Sequence, residues 1–337
     1  MSNLNVIMGR RAFIGAGLAL AATLAGCGNS NAASAGSAAG SAASSGKAYK
    51  VGVIQLVEHS ALDAANKGFV KALDESGLNV DIDQQNAQND QSAAQTIASK
   101  FVSDGDDLIF AIGTPAAQAA AGATSDIPVV GTAITDFAAT GLVQNNDEPG
   151  TNVTGSSDLT PVAEQIDMLH KVLPDAKKVA LLYASNESNS EIQIEMAEKA
   201  LDEIGVGHER KTASNTAEVQ SAVESIVGAG DFDAIYAPTD NTIAQAAPQV
   251  GQIALENKIP FITGEEGMCK NGNGLFTLSI NYEDLGGMAG EMAVKILKGE
   301  AKPEDMAIEH LDSSKLVTIK NDDVAAQLGI DLSVLQA

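Results

Sequence analysis

Two cysteines and four histidines are all that 337 residues offer toward disulfides or soft metal sites. His59, His170, His208 and His310 are scattered with no ligand spacing among them, which argues against a zinc centre. Past residue 24 no apolar run approaches the roughly 20 residues that a membrane-spanning helix needs. Basic residues are outnumbered 20 to 44 by acidic ones, giving a formal charge of −24 that speaks against nucleic acid or anionic lipid as the main partner.

Catalytic signatures are missing as well. There is no Gly-x-Ser-x-Gly elbow, no phosphate loop ending in Gly-Lys-Ser or Gly-Lys-Thr, and no suggestive Cys and His pairing. Glu265 and Glu266 invite comparison with a glycosidase acid and base, but neighbours on an extended chain face opposite ways and would not flank one bond. Absent chemistry favours binding over catalysis, and no cofactor is expected.

What the sequence does carry begins at its amino end. Arg10 and Arg11 precede the apolar run from Ala12 to Leu24, which closes on Leu24-Ala25-Gly26-Cys27. This reads as a signal peptide with a lipobox over residues 1–27, in which small residues admit the peptidase and the Cys27 thiol takes the lipid. The Arg10-Arg11 pair also looks like a twin-arginine export signal, and a plain charged leader is equally economical. With Cys27 committed to lipid, Cys269 has no partner for an internal disulfide.

Residues 28–47 are almost wholly Gly, Ala, Ser and Asn, too polar and too small to bury a core, so they read as a flexible tether. The remaining body is long enough for two domains. It repeats itself. The apolar strand Lys50 to Leu56, a polar loop Glu58-His59-Ser60 and a helical stretch return 128 positions later as Lys178 to Tyr183, Asn186 to Ser190 and Glu191 to Ile204. A third strand follows in each copy, Asp107 to Ile112 and Asp233 to Ala237, then a fourth opening with Ile127-Pro128 or Ile259-Pro260.

Strands alternating with helices favour parallel sheets wound on both faces, so the expected fold is α/β, with two doubly wound parallel-sheet lobes joined by a multi-crossover hinge. The expected division is 48–155 with 283–312 for lobe one and 156–282 with 313–337 for lobe two. In open α/β sheets a ligand lies beyond the carboxyl ends of the strands, which places the polar loops of both copies on one cleft.

Each loop residue has a plain structural reading beside the functional one. Ser60 can cap its helix; Glu58 and His59 are not needed for a cap and are pocket candidates. Thr114, between Gly113 and Pro115, can cap a helix whose amides would also cradle a carboxylate. Asp240, with Asn241, can cap or can face an ammonium, and amides on one side with a carboxylate on the other would suit a zwitterion, an amino acid being the simplest. Asp136 and the pair Ser157-Asp158 fall near the crossing between lobes and can serve as turn residues.

Taken together, Gln55, His59 and Leu62-Asp63, then Thr114 to Gln118, Ala133 to Asp136, Asn152 to Gly155 with Ser157-Asp158, Glu187 to Ser190 and Asp240 to Ala244 resemble the ABC transporter substrate-binding lipoproteins of the type I periplasmic-binding-protein fold, tryptophan binders among them. The resemblance implies an importer subunit, monomeric, lipid-anchored outside the cell membrane, handing a small ligand to permease subunits, with aromatic amino acids the ligands best associated with relatives. It carries pocket roles to Thr114, Ala116, Ser157, Asp158, Asn189, Ser190, Asp240 and Asn241. Glu58 and Glu265-Glu266 depart from the pattern, and extra acid there would favour a ligand with a further cationic or hydroxyl group. A sensory module of the same two lobes reporting to a membrane kinase is the alternative.

Overall fold

A computed structural model describes residues 47–335. The leader, the lipidation candidate Cys27 and nearly all of the tether lie outside the described residues.

The first alternation runs β1 (Tyr49–Gln55), α1 (Ser60–Glu75), β2 (Val80–Asn86), α2 (Gln91–Asp104), β3 (Leu108–Ile112), α3 (Thr114–Ala123), β4 (Val129–Ile134) and β5 (Val153–Ser157). Val51 to Gln55, β3, β4 and β5 are buried along their length, as a parallel sheet covered on both faces requires. Local signals set the boundaries: Asp90 accepts the Ala93 amide at 2.9 Å to start α2, and Gly105 ends it in the left-handed conformation.

The second alternation comprises α4 (Val162–Val172), β6 (Lys178–Ala184), α5 (Ser188–Glu203), β7 (Gly207–Ala213), α6 (Thr216–Ala229), β8 (Ala234–Ala237), α7 (Asn241–Glu256), β9 (Phe261–Thr263), α8 (Glu266–Asn271) and β10 (Phe276–Ser279). The chain then recrosses as α9 (Tyr282–Leu297) and β11 (Glu309–His310), and returns as β12 (Val317–Lys320) and α10 (Asp322–Leu328).

The two repeats fold as separate parallel sheets. Lobe one has the order β11-β5-β4-β3-β1-β2 and lobe two β7-β6-β8-β9, with every pair parallel. The offset of 128 residues seen in the sequence aligns β1 with β6, each the second strand from one edge and the partner of the next two strands in the chain. β10 and β12 form a small antiparallel sheet that the sequence did not announce. β5 pairs with β4 as far as Ser157, so the first sheet runs two residues past the boundary expected at 155.

The cores follow the same division. One hydrophobic cluster, aromatic as well as aliphatic, fills lobe one and takes in Leu285, Ala289 and Ala293 of α9. Two clusters lie on the two faces of the lobe-two sheet, one around Leu181 and Tyr236, the other around Leu182 and Ile235. α9 sits tightly on α1 because glycines meet backbone there: a Cβ on Gly286 would come within 1.9 Å of the Ala65 carbonyl. Strand crossings after Ser157, before Tyr282 and after His310 join the lobes, bringing all the carboxyl-terminal loops to one cleft.

Candidate functional site

The cleft is bridged by side chains from both lobes. His59 Nε2 lies 3.2 Å from Asn241 Oδ1, Asn89 donates to Thr242 Oγ1 at 2.9 Å, and Gln118 donates to Ser188 Oγ at 3.3 Å. Deeper in, Gln193 of α5 donates to Thr135 Oγ1 at 3.1 Å. These bonds hold the lobes closed on each other.

Lobe one contributes Thr114, and here the structure replaces the capping reading with another. Gly113, at φ 95°, is the cap residue of α3, Pro115 is in its first turn, and Thr114 is already helical. Freed from capping, its buried hydroxyl has no partner. Ala116 follows, fully buried, in the same turn. Ser60 likewise is not a cap: His59 holds that position without a side-chain bond, and Ser60 Oγ meets Asn271 of lobe two at 3.4 Å.

At the crossing, Ser157 Oγ donates to the Thr135 carbonyl at 2.6 Å. Asp158 is buried, with Oδ2 accepting from Tyr282 at 3.0 Å and Oδ1 left without a partner. Burial raises its pKa to about 6, against hydrogen bonds that favour the charged form. The same burial, with Asp158 beside it, pushes the Tyr282 hydroxyl well above its ordinary value.

In lobe two, Asp240 caps α7 through Ile243 N at 2.7 Å and also accepts from Ala184 N at 2.6 Å and Ser190 Oγ at 2.7 Å. Both its oxygens are engaged inside the lobe. Burial, then the neighbouring Glu187, raises its pKa to about 7. Asn189 donates to Glu187 and to the Thr239 carbonyl, each at 3.3 Å, and its Oδ1 is unpartnered. Glu265 caps α8 through the Gly267 and Met268 amides, and burial raises it to about 7. Its neighbour Glu266 faces outward to Lys270.

Two expected residues are not drawn into this set. Glu58 is exposed, on a groove of lobe one beside Asp63 and Lys67. Asp136 accepts the amides of Ala138 and Ala139 and the side chain of Asn146, each at 3.0 Å, and so makes a turn.

Sequence reasoning missed Gln193 and Glu187 as site residues. Gln193 stands four residues beyond Asn189, on the same helical face, so the period of 3.6 held the signal. Glu187 lies in the loop already singled out, but all its donors except Asn189 come from a segment more than fifty residues away. Among the described residues no cluster of His, Cys, Asp and Glu could hold a metal ion, and no helix is long and apolar enough to cross a membrane. Burial lifts the Cys269 thiol to about 12, far from a reactive thiolate.

The comparisons agree with this architecture. Residues 50–334 match the sequence profile of the ABC transporter substrate binding protein family. A tyrosine-binding protein of Clostridioides difficile (strain R20291) is 40% identical over 326 residues, 96% of this chain and 92% of the relative. Among solved structures, an ABC domain in complex with L-Trp from Streptococcus pneumonia is 36% identical, with a TM-score of 0.81 over 86% of this chain and 98% of that one. A ligand-free, open substrate-binding protein with adhesive properties from Clostridium difficile is 45% identical but has a TM-score of only 0.63, over 84% of this chain and 95% of that one.

The less identical structure, which holds a ligand, superposes better than the open one, as the bonds across the cleft require. With the profile spanning both lobes and the hinge, the chain belongs to the ABC transporter substrate-binding protein family, whose members bind solutes and are not enzymes.

Proposed function

We propose that the protein captures an aromatic amino acid between its lobes outside the cell membrane and delivers it to the permease of an ABC importer. One observation carries this reading: His59 Nδ1, Thr114 Oγ1, Asp158 Oδ1 and Asn189 Oδ1 are buried and unpartnered. Buried polar atoms are nearly always satisfied, and leaving one bare costs about 1–3 kcal/mol. Eight such atoms occur among the described residues, and these four stand out because they come from both lobes, at the strand ends and crossings that meet at the cleft, where a ligand's own polar groups would satisfy them.

Their chemistry suits an amino acid. Asp158 and Asn189 offer oxygens to an ammonium group, while Thr114 and the free amides of the first turn of α3 can take a carboxylate. The aromatic class is supported by the relatives that bind L-Trp and tyrosine. Delivery to a permease is the family's role, and the lipobox at Cys27 would keep the protein at the membrane.

Isothermal calorimetry on the purified protein with the common amino acids, sugars and nucleosides tests the ligand. Tyrosine, tryptophan or phenylalanine should bind, and Thr114→Val and Asp158→Asn should each weaken binding. Binding of sugars or nucleosides alone would exclude the amino-acid reading. Anchoring is tested separately: Cys27→Ala should release the protein from the membrane fraction.

A further inference from the structure

Glu187 is buried at the start of α5 but does not cap its own helix. Its carboxylate reaches instead to the first turn of α7. Oε2 accepts the Asn241 amide at 3.1 Å and Oε1 the Thr242 amide at 2.9 Å. Both donors are backbone N–H groups, which cannot be turned around. The remaining capacity of the two oxygens takes Asn241 Nδ2 at 2.7 Å, Thr242 Oγ1 at 2.8 Å and Asn189 Nδ2 at 3.3 Å. A carboxylate offers about four lone-pair sites, so Glu187 is saturated with donors.

This fixes which way the two asparagines face. Flipping Asn241 would press its oxygen against Glu187 Oε2, two acceptors together in a buried place. Asn241 Oδ1 is therefore the atom 3.2 Å from His59 Nε2. An amide oxygen only accepts, so Nε2 carries the imidazole hydrogen. A neutral ring with its proton on Nε2 has a bare lone pair on Nδ1. Burial, the largest influence on this ring, lowers its pKa and keeps it neutral. Asn189 is fixed in the same way, because Nδ2 also donates to the Thr239 carbonyl at 3.3 Å, an acceptor that cannot reverse. Its Oδ1 is left bare.

We propose that Glu187 sets the hydrogen-bond polarity of the cleft. By turning the NH2 groups of Asn241 and Asn189 toward itself, it makes His59 Nδ1 and Asn189 Oδ1 acceptors, so that the site selects ligands presenting N–H donors, an ammonium group above all. The proposal rests on the amino-acid reading for its ligand, but its structural half stands alone. Glu187 is a positioning residue; the atoms that would meet the ligand belong to His59 and Asn189.

Two measurements test it. Long-range proton to nitrogen-15 spectra of the histidine rings, with His59 assigned by loss of its signal in His59→Gln, should show the Nε2–H tautomer in the wild-type protein. Affinities for L-tyrosine and for 3-(4-hydroxyphenyl)propanoate, which lacks only the ammonium group, should differ by at least about a hundredfold in the wild type. In folded Glu187→Gln that ratio should fall below about tenfold as Asn241 loses its fixed orientation and the His59 ring its fixed tautomer, Asn189 keeping its bond to the Thr239 carbonyl. A merely structural role would weaken both ligands alike and leave the ratio where it was, overturning the proposal. An Nδ1–H tautomer of His59 in the wild type overturns it whatever the variant does. If no aromatic amino acid binds the wild type, the ligand reading fails by itself, and the tautomer decides the role of Glu187.

Discussion

The side-chain amide of Gln193 in lobe two lies between two threonines of different lobes, donating to Thr135 Oγ1 at 3.1 Å and to Thr239 Oγ1 at 2.6 Å, while its oxygen accepts the Thr239 amide at 3.3 Å. All three side chains are buried. One residue thus ties the far lobe to the closed state and braces the strand end that carries Asp240.

Gln193→Ala should separate closure from folding. Loss of the bridge leaves the Thr135 hydroxyl unpaired in the closed form only, where it has no water, at a cost of about 1–3 kcal/mol, while the lost bonds to Thr239 weigh on both forms alike. Ligand affinity should drop roughly tenfold or more, while ligand-induced compaction, read by small-angle X-ray scattering, becomes incomplete at concentrations that saturate the wild type. Full compaction with unchanged affinity would show that the bridge adds nothing to closure.

Thr114→Val and Asp240→Ala should act in opposite senses, because one polar group is unpaired and the other is used three times. The Thr114 hydroxyl has no partner in the protein, so its removal should leave the melting temperature unchanged or slightly higher while lowering ligand affinity about tenfold. Asp240 holds Ile243 N, Ala184 N and Ser190 Oγ, so its loss should destabilise the fold by about 2–4 kcal/mol. Thermal melts and calorimetry on both variants decide the matter.

The contrast also shows what the chain discloses and what it withholds. Strand and helix alternation, and its return after 128 residues, were legible because buried parallel strands are continuous apolar runs and their loops end in turn chemistry. Thr114 and Asn189 were legible for the same reason, lying just past strand ends. Whether Asp240 would spend its oxygens on a helix cap or on a ligand was not legible, since that depends on Ala184 and Ser190, 56 and 50 residues away. The backbone donors of Glu187 come from the same α7 turn, and the β10 and β12 pairing joins segments about forty residues apart, beyond the reach of local periodicity.

Gly286 should tolerate no side chain. Its Cβ would lie 1.9 Å from the Ala65 carbonyl, and one on Gly68, facing it across the same helix pair, would lie 2.0 Å from the Glu283 carbonyl. Both obstacles are backbone and cannot rotate away, so α1 and α9 would have to separate. Gly286→Val should cost about 3 kcal/mol or more in chemical denaturation, against little for Gly122→Ala, where nothing stands within 4 Å. Because α9 follows the crossing at Tyr282, the variant should also weaken ligand binding beyond what its stability explains.

Acidification from pH 8 to about 5.5 should raise the melting temperature of the ligand-free protein. Burial lifts Asp158 to about 6 and Asp240 and Glu265 to about 7, from ordinary values of 3.8, 3.8 and 4.5. Each group holds its proton more firmly folded than unfolded. Between the two values the native state therefore binds more protons, and stability falls as pH rises. The contribution is fully present below about pH 4 and lost as pH passes through 6 to 7, at up to about 1.4 kcal/mol per pH unit for each group. His59 works the other way, since its folded pKa is lowered and its protonation below the ordinary 6.5 favours unfolding, but it is one group against three. Glu265→Gln removes one of the three and should flatten the rise. A melting temperature that falls on acidification over this range would mean that these carboxyl groups keep their charge when buried, and that the bare oxygen of Asp158 meets a ligand as a carboxylate even in mild acid.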